Sequence, residues 1–129
     1  MSERKYIAVS EAESAVMEVL WQQRASSSSE DVVVALAERM NWQEPTVKTL
    51  LNRLLNKGAI RAQKQGRRYL YSPVLQREQW LASETKSFLD RLFDGRVVPL
   101  VSHFSKHRKL TKKDISDLKR LIEELDDDA

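Results

Sequence analysis

The 129-residue chain contains no cysteine. Disulfides, thiolate metal sites and cysteine nucleophiles are thereby excluded, and a reducing, cytosolic home fits the composition. Glycine is nearly as scarce: three isolated residues, so no glycine-rich loop can cradle a phosphate. Three prolines complete the short supply of breakers. All six fall at or near predicted element ends, which leaves long helix-permissive stretches. No stretch approaches the ~20 apolar residues that cross a bilayer. Met1–Glu13 has no apolar run of signal-peptide length either. The expectation is a soluble, cytoplasmic protein of one domain, or of a small domain with an appendage.

Charge, by contrast, is plentiful and unevenly placed. Residues 41–73 hold seven bases against one acid, Glu44. The preceding forty residues hold four bases and seven acids, and residues 74–129 hold eleven of each. A net charge of +3 therefore conceals one concentrated basic element. Such an element attracts phosphate backbones.

Periodicity and punctuation predict a mainly α architecture. Ser10 with Glu13 forms a capping box for a first helix striped by Ala12, Ala15, Val16, Val19 and Leu20 and running to about Gln23. Ser27 with Glu30 is the expected cap of a second helix, striped by Val33, Leu36, Ala37 and Met40. Pro45 suits the first turn of a third, whose inward face is Val47, Leu50, Leu51, Leu54 and Leu55, and Gly58 ends it. Ala59–Lys64 and Arg67–Ser72 favour strands around Gly66, with Pro73 closing the hairpin. Residues 1–73 thus read as three helices and a two-stranded wing, a winged helix-turn-helix. Residues 74–129 read as three further helices, with Asp126–Asp128 expected to fray.

The inward stripe of the third helix also defines its outer face: Thr46, Lys48, Thr49, Asn52, Arg53 and Asn56, a set without a carboxylate. Hydroxyls, amides and cations are the chemistry of a recognition helix in a major groove. Thr46, Lys48 and Thr49 are expected at base edges, and Asn52 and Arg53 at the groove wall or phosphates. The wing tip, with Lys64, Arg67 and Arg68, would lie over the adjacent backbone. The helices beyond Pro73 carry Trp80, Phe88, Leu92, Val97, Leu100, Val101, Leu118, Leu121 and Ile122, candidates for dimerisation because some fifty residues bury little apolar surface alone. Two-fold pairing would set two recognition helices about one DNA turn apart.

His103 and His107, four residues apart, are the only pair resembling metal ligands. Lys106, Arg108 and Lys109 beside them disfavour a divalent ion, so no metal and no cofactor is expected. The serine run Ser26–Ser29 has no local histidine, and no enzyme signal remains. A winged-helix module binding an acidic protein partner is the alternative from another functional class. A ligand-sensing DNA-binding regulator is a third possibility.

The stretch Trp42 to Gly58, with Thr46, Val47, Lys48, Thr49, Leu50, Leu51, Asn52 and Arg53 at its centre, resembles the recognition helix of the penicillinase-repressor family of bacterial regulators. That family includes the methicillin-resistance repressors and copper-responsive relatives. Ser10–Glu13 through Val16–Trp21 is similar to the family's opening pattern, and Arg68–Pro73 to its wing, so the resemblance covers about residues 6–125. It implies repression of an operon by a homodimer on a palindromic double-stranded operator. In the penicillinase and methicillin members it further implies a membrane sensor-protease that triggers cleavage in the dimerisation region. The scissile bond aligns with His103–Phe104, where His103 stands in place of the usual asparagine. Gln43 and Pro45 depart from the family's Ser-Pro start, and the cysteine cluster of the copper-responsive members has no counterpart.

Overall fold

The computed structural model describes residues 7–23 and 25–128; the Met1–Tyr6 part of the N-terminal stretch weighed above lies outside them. Element order is α1 (Glu11–Gln22), α2 (Ser29–Met40), α3 (Glu44–Lys57), β1 (Ile60–Gln65), β2 (Arg68–Pro73), α4 (Arg77–Leu92), α5 (Val97–Lys106) and α6 (Lys112–Asp128). The mainly α winged-helix architecture expected from the sequence is the one observed. No helix among the described residues is long and apolar enough to cross a membrane. The chain divides into two compact units at Ser83/Glu84, within α4 rather than at Pro73.

In the first unit α1 begins as its capping box requires. Ser10 Oγ accepts from the Glu13 N–H at 3.1 Å, and Glu13 Oε1 accepts from the Ser10 N–H at 2.8 Å. The cap of α2 lies one residue later than Ser27 and Glu30 suggest. Ser28 Oγ accepts from the Asp31 N–H, and Asp31 Oδ2 from the Ser28 N–H. Ser27 cannot cap because its backbone is engaged elsewhere: its N–H donates to the Tyr71 carbonyl at 2.9 Å and its carbonyl accepts from the Tyr71 N–H at 2.7 Å. It forms an isolated antiparallel bridge against the wing. With that start, Val32 and Leu36 are buried and Val33 and Met40 partly so, whereas Ala37, placed in the stripe from sequence, is exposed.

Pro45 sits in the first turn of α3, where its missing N–H loses no helical bond. Val47, Leu51 and Leu54 are fully buried and Leu50 nearly so. Burying each such side chain contributes roughly 1.5–3 kcal/mol. They pack with Val16, Met17 and Leu20 of α1 and with Val32, Leu36, Ile60 and Tyr71 in one core. Gly58 ends the helix at φ +79°, a left-handed conformation that glycine adopts without strain. The wing pairs Ile60 with Pro73 through Gln65 with Arg68, leaving Gly66 and Arg67 as a two-residue turn. Trp21 Nε1 donates to the Leu75 carbonyl at 2.8 Å, and the Trp21 and Trp80 rings lie 5.3 Å apart. The first turns of α4 therefore belong with the winged unit.

The second unit holds the rest of α4, then α5 and α6. Thr111 and Asp114 cap α6 reciprocally. The helix runs on through Asp126 and Asp127 instead of fraying there; each extra residue adds a ladder bond while its exposed carboxylate stays hydrated. Only Leu89 is buried among the described residues of this unit. Leu92, Val97, Val98, Leu121, Ile122 and Leu125 are all at least half exposed.

Candidate nucleic-acid interface

Because Val47, Leu50, Leu51 and Leu54 face the core, the opposite flank of α3 is forced outward. Thr46, Lys48, Thr49, Asn52, Arg53 and Asn56 are all exposed. Neither Asn52 nor Arg53 has a side-chain hydrogen bond or ion pair among the described residues. Lys48 Nζ lies 3.3 Å from Glu44 Oε1 one turn earlier, with both side chains about half exposed. Such a pair contributes only ~0.3–0.5 kcal/mol, so Lys48 can exchange its partner for a phosphate or a base. Thr49 differs from its expected role: its hydroxyl donates to the Pro45 carbonyl at 3.0 Å. Its one donor is engaged, and what remains outward is a methyl group and an acceptor lone pair.

Glu44 also alters the expected chemistry of this face, which is not free of carboxylate. Its Oε1 accepts from Ser29 Oγ at 3.4 Å as well as from Lys48. Together with Lys48, Ser28, Ser29, Glu30 and the wing residues Arg67, Arg68, Tyr69 and Tyr71, it lines a cleft of about 310 Å³. Three parts of the chain meet there: the start of α2, the start of α3 and the tip of the wing. The partly positive N-terminus of α2 adds to Lys48, Arg67 and Arg68. Nearby, hydrogen bonds from the Ser28 backbone and hydroxyl, aided by the charge of Arg68, hold the Asp31 carboxyl below its usual range. Lys64 is exposed on β1 outside this cleft.

Two of the seven bases serve other ends. Lys57 donates to the Ala8 carbonyl and to the carboxylate of Glu13, which is 1% exposed. Burial alone would raise the Glu13 pKa, but the bonds from Lys57 and Ser10 outweigh it and hold the group below the ordinary range. Arg61 Nε donates to Ser72 Oγ across the wing. The outward cationic set is accordingly narrower than the sequence count suggests. Glu13 was legible only as a cap residue; its position on the inward face among Val16, Met17 and Leu20 is the signal that it needs a buried cation.

The residues expected to dimerise separate into groups. Trp80 is partly buried against Trp21 in the first unit. Phe88 is 38% exposed and stacks on Phe93 at 5.8 Å. Leu92, Val97, Leu121 and Ile122 are exposed, while Leu100, Val101 and Leu118 are partly covered. Val101, Leu118 and Leu121 line an apolar cavity of about 490 Å³ with Phe104 and Leu110. His103 and Phe104 are exposed on α5, and the His103 and His107 rings lie 4.5 Å apart. No group of three or more potential metal-ligating side chains occurs among the described residues.

Comparison with known proteins places this arrangement. The family model described as penicillinase repressor matches residues 9–124. The penicillinase repressor of Bacillus licheniformis is 31% identical over 121 residues, 94% of each chain. The solution structure of the DNA-binding domain of the repressor BlaI superposes with a TM-score of 0.52 at 32% identity, covering 60% of this chain and 93% of that one. The B. licheniformis BlaI monomeric form in complex with the blaP half-operator superposes with a TM-score of 0.51 at 34% identity, over 59% of this chain and 93% of that one.

Proposed function

The chain belongs to the penicillinase repressor family, and from that premise we propose that it represses transcription as a homodimer on a palindromic operator. Each protomer lays α3 in a major groove. Lys48 and Thr46 face base edges, with the Thr49 methyl beside them, and Asn52 and Arg53 face the groove wall. Lys64, Arg67 and Arg68 hold the neighbouring backbone from the wing. That the similar BlaI repressor forms a complex with a half-operator supports a DNA partner for this unit. The observation that carries it is the exposed flank of Asn52 and Arg53, unpaired among the described residues and continued by Lys48 to the cleft of Arg67 and Arg68. No catalytic residue is assigned.

The dimer forms through the second unit, which buries only Leu89 of its own among the described residues and leaves Leu92, Val97, Val98, Leu121, Ile122 and Leu125 to be covered by a second copy. Release of the operator follows cleavage at His103–Phe104, triggered by a membrane sensor-protease. That bond lies within helix α5, so cutting requires local opening of the helix first.

Duplex titration at rising salt tests the DNA reading. An affinity that falls about 10³-fold between ~50 and ~200 mM salt supports several phosphate contacts, and Arg53→Glu should abolish retention. An affinity indifferent to salt, or unchanged by that substitution, sinks the proposal.

A further inference from the structure

The first residue of α3 is an acid standing among three cations. Glu44 shares its cleft with Lys48, Arg67 and Arg68, and its side chain is 44% exposed. Its Oε1 meets Lys48 Nζ and Ser29 Oγ, while Oε2 has no hydrogen bond among the described residues. Against a phosphate backbone such a carboxylate is repulsive at every sequence. What a carboxylate can accept from in the major groove is an exocyclic amine, and cytosine N4 is the best match. Thymine O4 and guanine O6 and N7 present it only with further lone pairs. A negative group at this position therefore penalises most bases and favours one.

We propose that Glu44 is a specificity-determining residue, accepting from the N4 amine of a cytosine in each half-site. The inference rests on the reading that α3 enters the major groove, where the first residues of a recognition helix reach base edges. Lys48 completes the contact. It lies four residues on, a rise of about 6 Å on the same side of the helix. On binding, its ammonium leaves Glu44 and donates to O6 and N7 of guanine, in that C·G pair or the next. In the free protein the two side chains neutralise and orient each other at 3.3 Å, and their exposure keeps the exchange inexpensive. A purely structural Glu44 would act on the N-terminal end of the helix dipole and affect every duplex alike.

Selection from a random duplex pool with the full-length wild type, Glu44→Gln and Glu44→Ala tests this. The wild type should return cytosine at one position of each half-site. Glu44→Gln should replace that cytosine with adenine, because a carboxamide pairs with adenine N6 and N7. Glu44→Ala should lose the preference there, flattening a discrimination of about tenfold or more, with the other positions unchanged. Anisotropy titrations on duplexes varied at that pair measure the change, and thermal melts show that both variants are folded. Identical base preferences in all three proteins, or a uniform loss across positions, overturn the role of Glu44 and leave the DNA reading intact. A wild-type pool with no enriched sequence overturns the DNA reading itself.

Discussion

Lys57, in the last turn of α3, reaches the buried carboxylate of Glu13, in the first turn of α1. The two residues are 44 positions apart, and the same ammonium also holds the Ala8 carbonyl at 2.8 Å. This contact locks one end of α3 against α1, and so sets the angle at which the exposed flank is offered. Replacing Lys57 by Met should cost about 1–3 kcal/mol, since a buried acceptor loses its donor. Glu13→Gln in the same background should recover part of that loss. Urea unfolding of the two single variants and the double variant measures the coupling.

The same pair makes stability depend on acidity. The folded-state pKa of Glu13 is depressed below its ordinary value of 4.5. Its contribution is therefore present above that pH and is lost as pH falls through the lower, folded-state value. Unfolding free energy measured from pH 6 downwards should decline below about 4.5, and Glu13→Gln should make that decline shallower. Parallel curves for wild type and variant would contradict the assignment.

Trp21 and Trp80 touch, yet they should respond differently to the same change. Trp21 Nε1 donates to Leu75, whereas Trp80 Nε1 is buried with no hydrogen-bond partner among the described residues. Trp21→Phe loses a hydrogen bond and strands a carbonyl, at a cost of about 1–3 kcal/mol. Trp80→Phe removes an unsatisfied donor and should be close to neutral. Thermal melts of the two variants give the comparison directly.

The serines before α2 supply a local test. Ser28→Ala removes the cap and should cost ~1 kcal/mol. Ser27→Ala leaves its backbone bridge to Tyr71 intact and should cost less. Equal losses would place the helix start where Ser27 and Glu30 suggest.

For the second unit, Leu121→Asp with Ile122→Asp introduces charge on its exposed apolar face. Sedimentation should report monomers, and operator affinity should fall by about 100-fold or more as two linked contacts become one. The circular dichroism of the winged unit should stay unchanged. A charged variant that remains dimeric would move the interface elsewhere.

What the sequence alone determined was local. Ser10 with Glu13, Thr111 with Asp114, Pro45 and Gly58 act within a turn of helix, and the stripe from Val47 to Leu54 needs only a period of 3.6 residues. These signals sufficed for the winged helix and for the outward flank of α3, because one buried face dictates the opposite one. Only the tertiary structure decided the long-range pairings. Ser27 lies against Tyr71, which moves the cap of α2 to Ser28. Lys57 turns inward to Glu13, which removes it from the basic face. Glu44 and Lys48 meet Arg67 and Arg68 at one cleft, though the wing is distant in sequence. Each of those outcomes is a choice among partners brought together by packing of the shared core, and no pattern within a few residues encodes it.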